Sequence, residues 1–328
     1  MPEQVCCVQH TATECTTKAG TSPSAADTSN SSPAPSSIRT VDRSANHSGA
    51  NFGAPLRADM TRKCLGTRPS GGTRPGAVPA VRQAGAMAQR TTENTWQIQG
   101  RTVTLPVAIR DSFLATAVYA CSADAARKII ADDRLTPLTI AGRGLATLLF
   151  VKYRDSDLDA YDEVGLTLAV RGPARGAIGM YILELPVTET FTLEAGRAIW
   201  GLPKWLAQAT MSVRRDGVEV SLRDGAELVL TAALDVGGLR IPVPITAPMA
   251  CWAVRPDGPD AGELLRGTVH IRLRGLHVRL GGAHLVLGEH RMARTARALG
   301  MSGRPLCTAV AEMTTELGAF PPLGGHRV

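Results

Sequence analysis

Short apolar runs broken by glycine-containing turns predict a mainly antiparallel β fold, a barrel or a sandwich, with a few helices. Three observations carry that reading. Asp216-Gly217 and Asp224-Gly225 each separate apolar-containing runs between Met211 and Val236, and Asp-Gly favours the type I′ hairpin turn, so a three-strand meander is expected there. Thr268 to Leu273, His277 to Leu280 and His284 to Leu287 repeat the pattern, with Gly275 and Gly281-Gly282 at the expected turns. Leu145 to Tyr153 and Val164 to Val170 are apolar runs short enough to be buried strands. Many strands in one domain close into a barrel or pack as a sandwich.

In chain order, residues 1–90 differ from the rest. They hold one aromatic residue, Phe52, four of the seven cysteines, and small-polar tracts such as Thr28 to Ser37. Such a segment buries too little apolar surface to offset its chain entropy, so a disordered tail is expected. The tail carries 10 basic and 5 acidic residues, and the remainder 26 and 24, so most of the net charge of +7 lies in the tail. A near-neutral folded part argues against a nucleic-acid-binding face, which needs clustered Lys and Arg. Ordinary globular composition begins near Met87. We expect Met87 to be the natural start and residues 1–86 an over-extension; mass spectrometry of the native protein checks this, and peptides from 1–86 would overturn it.

Residues 91–328 read as one domain. Val103, Leu105, Val107 and Ile109 share a face, as in a half-buried strand over Thr102 to Ile109, with Pro106 placing it at a sheet edge. Leu114 to Ala120 reads as a further strand. Ser122 can cap a short helix from Ala123 to Ala131, with Asp124 near its positive end. Pro242, Pro244 and Pro248 mark an extended connection. Glu289 to Leu299 is helical in character and ends at Gly300. No signal-peptide pattern and no membrane-length apolar stretch is present. Cys121, Cys251 and Cys307 are odd in number and scattered, which fits free thiols in a reducing, cytoplasmic setting.

Several chemistries find no motif. The sequence has no phosphate-binding glycine loop, no dinucleotide fingerprint and no nucleophile elbow. His270, His277 and His284 recur every seven residues, a spacing that strands and turns do not bring to one metal. Asp155, Asp157 and Asp159 suggest a calcium loop, but Ala160 stands where the sharp turn needs glycine and Leu166 where the bidentate glutamate belongs. The acidic segment is then either a solvated loop or, through Glu163 at the mouth of a strand, a source of acid/base chemistry.

Lysine is the rare cation: five Lys against 31 Arg. Lys204 sits between Trp200 and Trp205 among aliphatic residues, where burial lowers an amine's pKa and makes it a nucleophile toward carbonyls. Composition alone favours the plainer reading, a corner lysine that snorkels to water.

The run Gly196-Arg197-Ala198-Ile199-Trp200-Gly201-Leu202-Pro203-Lys204 resembles the Gly-Arg-Glu-x-x-x-x-Pro-Lys segment of the acetoacetate decarboxylase family. Tyr161-Asp162-Glu163 resembles that family's Tyr-x-Glu segment, and Arg110 sits like its early arginine, with Arg101 close by. The similarity covers roughly residues 97–320. It implies a barrel-like fold around a largely apolar cavity, a Schiff-base lysine at Lys204, and Arg110 and Glu163 lining the site. By this resemblance Arg110 holds the substrate carboxylate, Glu163 moves protons, and a small β-keto acid loses CO2 without a cofactor. Three positions depart from the family pattern: Trp205 replaces a second lysine, Ala198 replaces the glutamate, and Leu148 lies near a position expected to be acidic. With Trp205 beside it, Lys204 is expected to be activated by burial rather than by a neighbouring cation. The alternatives are an aldolase or dehydratase acting on a 2-oxo acid, and a non-catalytic binder of a small apolar molecule. The expected partner is the small keto-acid substrate, with no nucleic acid and no membrane; a homo-oligomer is compatible with the chain.

Overall fold

The computed structural model of the protein describes residues 88–323; the expected Met87 start and nearly all of the expected tail lie outside them. Strand pairing begins at β1 (Gln89–Arg90), which with β2 (Thr95–Ile98) and β3 (Arg101–Thr104) forms a small antiparallel sheet. There follow β4 (Val107–Ser122), α1 (Ala123–Ile129), β5 (Thr136–Pro137), β6 (Thr139–Ile140), β7 (Arg143–Ser156), β8 (Tyr161–Arg171) and β9 (Ile178–Val187). Then come α2 (Thr190–Trp200), β10 (Lys204–Leu206), β11 (Gln208–Val213), β12 (Gly217–Asp224), β13 (Glu227–Asp235) and β14 (Leu239–Ile241). The chain ends through β15 (Ile245–Val254), β16 (Leu264–Leu280), β17 (Ala283–Leu287), α3 (Arg291–Ala298) and β18 (Cys307–Leu317).

Seven strands close on themselves in the order β9-β15-β16-β18-β4-β7-β8, with β8 pairing back to β9. The barrel is antiparallel except between β9 and β15, and β10 adds to β9 in parallel. Closure removes exposed strand edges. A second sheet, β11-β12-β13-β17, packs outside the barrel. One apolar cluster, including Leu148, Leu166, Leu168, Leu222 and Leu230, joins that sheet and α3 to the barrel wall. Another, built on Val187, Phe191, Ala195, Ile199 and Trp200, seats α2. Leu148, near the position of the family's further acidic residue, is fully buried in the first cluster.

The alternation along β4 is the reverse of a packed barrel. Ala115, Ala117 and Tyr119, on the outer face, are buried, whereas Leu114 and Thr116, facing inward, are only half-buried. Barrels of about eight strands are ordinarily filled by their own side chains. This one is hollow.

Several local expectations hold. The Ser122 hydroxyl accepts from the Ala125 N–H at 3.3 Å and caps α1, and the meander is β11-β12-β13. Others are corrected. The expected strand Thr102 to Ile109 is two strands: proline donates no ladder bond, and the cis Leu105–Pro106 peptide lies where the chain leaves the small sheet for the barrel. Gly275 is no turn. Its φ of 59° lets β16 bulge between Arg274 and His277 and run on to Leu280 as one strand. Neither Asp-Gly turn is type I′, because neither aspartate has a positive φ; Gly225 takes φ 56°, while Gly217 already begins β12. Among the described residues no helix is long and apolar enough to cross a membrane.

Candidate active site

Helix α2 and the turn after it deliver Lys204. The helix buries Phe191, Ala195, Ile199 and Trp200 and stops at Gly201, whose φ of 58° lets its N–H donate back to the Arg197 carbonyl at 3.1 Å. Pro203 cannot prolong a helix. The next residue, Lys204, opens β10 opposite Leu185 of β9 and turns its side chain inward. It is 3% exposed. Gly196 makes this path available, since a Cβ there would stand 2.4 Å from Lys204 Cδ and 2.7 Å from Cε.

Glu163, 6% exposed, comes from β8. Its Oε2 lies 2.8 Å from Lys204 Nζ, and its Oε1 accepts from the Tyr153 hydroxyl at 3.0 Å. Lys204 also donates to the Thr192 hydroxyl at 3.0 Å and lies 5.2 Å from the Tyr161 ring centroid. Tyr153 and Tyr161 stack with centroids 4.3 Å apart. The resemblance therefore names two residues, Lys204 and Glu163, that the fold brings into direct contact. Tyr153 and Thr192 complete the cluster without any sequence signal: Thr192 is an ordinary helical threonine, and Tyr153 reads as the end of an apolar run.

The electrostatics differ from expectation. Burial is the largest influence on Lys204 and pushes its pKa down, but the Glu163 carboxylate and Tyr161 outweigh it, and the net direction is up. Lys204 is thus held as an ammonium by a counter-ion, and burial alone does not activate it. Burial, the Glu163 charge and Tyr161 raise the Tyr153 phenol well above its ordinary value, so it stays protonated and donates.

The cluster opens on the barrel lumen, a cavity of about 370 Å³. Among the described residues lining it, the charged groups are Lys204 and Glu163 alone, and they pair. Most of the wall is aliphatic. Threonine hydroxyls spend their protons on strand carbonyls: Thr315 donates to His270 at 2.8 Å, and Thr116 and Thr167 donate to Ala309 and Thr147 at 3.5 Å.

Arg110 does not line the lumen. Successive strand residues face opposite sides, and Ile109 takes the inward place. The Arg110 guanidinium is half-exposed and bonds Asp155 at 2.7 Å and Asp157 at 2.6 Å, so the expected carboxylate-binding arginine is a surface ion pair. Arg101, its neighbour in sequence, is likewise held at the surface by Asp159. Trp205 points away from Lys204: its Nε1 donates to Glu184 at 2.8 Å, and its ring meets His290 and Arg291 between the barrel and α3. The three acidic residues Asp155, Asp157 and Asp159 are engaged by Arg110 and Arg101.

The acetoacetate decarboxylase family model matches residues 86–319. Among solved structures, the acetoacetate decarboxylase of Legionella pneumophila subsp. pneumophila str. Philadelphia 1 is similar, with 17% identity, a TM-score of 0.55, and 68% of this chain and 89% of that one covered. Another structure of an acetoacetate decarboxylase gives 16% identity and a TM-score of 0.54, over 68% of this chain and 91% of that one. The enduracididine biosynthesis enzyme MppR, with HEPES buffer bound, gives 15% identity and a TM-score of 0.53, over 67% and 88%. No curated protein matches the chain by sequence. At these identities the structural likeness speaks for the fold.

Proposed function

The chain belongs to the acetoacetate decarboxylase family, and from that premise we propose that Lys204 forms a Schiff base with a β-keto acid and releases CO2. The observation that carries this reading is the buried contact of Lys204 with Glu163 at 2.8 Å, opening on an apolar lumen. As substrate enters, the ammonium passes a proton to Glu163, and the free amine adds to the ketone carbon. Water leaves and an iminium forms. The bond to the carboxylate carbon breaks, its electron pair moves into the iminium to give an enamine, and CO2 departs. Glu163, replenished through Tyr153 or water, returns a proton to the enamine carbon, and hydrolysis of the imine frees Lys204. The iminium is itself the electron sink, so the lysine does the work of a cofactor. The keto acid is the expected partner, and the cytoplasm the expected compartment.

The lumen favours decarboxylation over aldol chemistry on a 2-oxo acid. A carboxylate inside it has no cation beyond the reacting lysine among the described residues, and a buried unpaired charge is costly. In decarboxylation that charge disappears in the step itself, because iminium and carboxylate collapse to a neutral enamine and CO2, so the transition state escapes part of the penalty. A 2-oxo acid keeps its carboxylate throughout an aldol cycle. MppR is known with the condensation product of pyruvate and imidazole 4-carboxaldehyde, so the aldol reading is the one to test against.

Borohydride reduction in the presence of acetoacetate and longer 3-oxo acids is expected to fix an adduct on Lys204, with CO2 released in parallel in unreduced samples. An adduct with pyruvate and no CO2 from any 3-oxo acid would move the assignment to the aldolase. Absence of an adduct with every carbonyl would leave a binding protein.

A further inference from the structure

The lumen is longer than a four-carbon acid can use. Val151 pairs with Glu163, and Thr147 pairs with Thr167; all four line the cavity. From one pair to the other is four residues of strand, about 13 Å at the rise of a β-strand. Across from them β18 presents Ala309 and Ala311, side chains too small to fill the space. Leu114, Leu149, Ile182 and Ile271 face inward yet remain only half-buried, so they have apolar surface without a partner. Pockets of about 300–1,000 Å³ accommodate drug-sized ligands, and a cavity of about 370 Å³ belongs to that class. Thr116, Thr167 and Thr315 in the wall donate their hydroxyls to strand carbonyls, so a polar arm finds few free partners there.

We propose that the natural substrate is a 3-oxo acid whose ketone bears an uncharged alkyl or aryl arm of medium length, laid along the lumen from the Lys204–Glu163 end toward Thr147 and Thr167. The carbonyl end of this assignment rests on the Schiff-base reading; the arm rests on the lumen alone. Acetoacetate fills only the reactive end and leaves the aliphatic wall unused. Each methylene moved from water to such a wall improves affinity by roughly three- to fourfold.

The test uses the intact protein and two readouts. Calorimetry compares acetone, 2-heptanone and 2-undecanone, the methyl ketones left after CO2 is lost from acetoacetate, 3-oxooctanoate and 3-oxododecanoate, and kcat/KM is measured for the three acids. We expect 2-heptanone to bind at least tenfold more tightly than acetone, and 3-oxooctanoate to exceed acetoacetate at least tenfold in kcat/KM. Ala309→Phe, which places a ring in the lumen beside its strand partner Thr116, is expected to cut 2-heptanone affinity at least tenfold and to erase the advantage of 3-oxooctanoate over acetoacetate. Equal affinity for acetone and 2-heptanone, or acetoacetate processed as well as 3-oxooctanoate, overturns the proposal; this comparison needs no variant. The two readings fail separately. A chain-length gain in binding without any trapped adduct removes the Schiff base and keeps the apolar arm, whereas a flat series with adducts throughout removes the arm and keeps the Schiff base.

Discussion

Lys204→Ala is expected to give no borohydride-trapped adduct with any keto acid and to lower CO2 release by at least about a thousandfold, the scale on which covalent catalysis is lost with its nucleophile. The same substitution strands the Glu163 carboxylate, 6% exposed and bonded only to Tyr153. Removing one member of a buried pair costs about 3–5 kcal/mol, so Lys204→Ala is also expected to melt early. Lys204→Met combined with Glu163→Gln separates the two effects: stability is largely recovered, because neutral groups of similar shape replace the pair, while the adduct stays absent. In the wild-type protein Lys204 has a raised folded pKa. Its contribution to stability is therefore complete below the ordinary lysine value and is lost only as the pH climbs through the folded one. Adduct formation runs the other way and rises with pH, as the ammonium gives up its proton. Arg110→Ala is the contrast. Its partners are the surface carboxylates Asp155 and Asp157, so trapping is expected to stay within about twofold of wild type, as for other exposed ion pairs of small energetic weight. A thousandfold loss there, or a surviving adduct in Lys204→Ala, would sink the assignment.

The contrast between Lys204 and Arg110 also shows what a sequence of this kind makes legible. The Pro-Lys and Tyr-x-Glu segments place a lysine and a glutamate that meet at 2.8 Å, because each sits at the end of a well-marked element: a glycine-stopped helix and a buried strand. Arg110 has the right type and neighbourhood but the wrong parity. A strand sends neighbours to opposite faces, and a single register step, invisible without the barrel, decides between lumen and solvent. Antiparallel strands are legible through glycines and apolar runs, yet closure of the barrel is not. It depends on the parallel contact of β9 with β15 and on β18 pairing with β4, which are long-range choices that local patterns do not encode. Gly275 illustrates the same limit, since a glycine with positive φ serves a turn or a bulge equally well. The state of Lys204 is the largest revision. Apolar neighbours in sequence suggest a depressed pKa, but the group that wins is a carboxylate forty-one residues away in the chain, held by a tyrosine from a third element.

Gly196→Ala is expected to separate folding from chemistry more cleanly than any change to a charged residue. Gly196 lies in the second turn of α2, where glycine costs the helix about 1 kcal/mol relative to alanine. Its retention needs another reason, and the geometry supplies one: an added methyl meets Lys204 Cδ at 2.4 Å and Cε at 2.7 Å, and no other atom as closely. The obstructed group is the flexible arm of a lysine, so the structure yields by moving that arm rather than by unfolding. Melting temperature and circular dichroism are expected to match wild type within a few degrees. The amine, however, leaves the position fixed by Glu163 and Thr192, and a displacement of about 1 Å at a reacting atom can cost on the order of a hundredfold. The rate of adduct formation is therefore expected to fall by ten- to a hundredfold, with the residual rate showing a different pH dependence because the 2.8 Å contact with Glu163 is lengthened. A variant that traps keto acids at the wild-type rate would show that the narrow passage over Gly196 is incidental. A slow but folded variant would tie the glycine of the Gly-Arg segment directly to the placement of the lysine eight residues later.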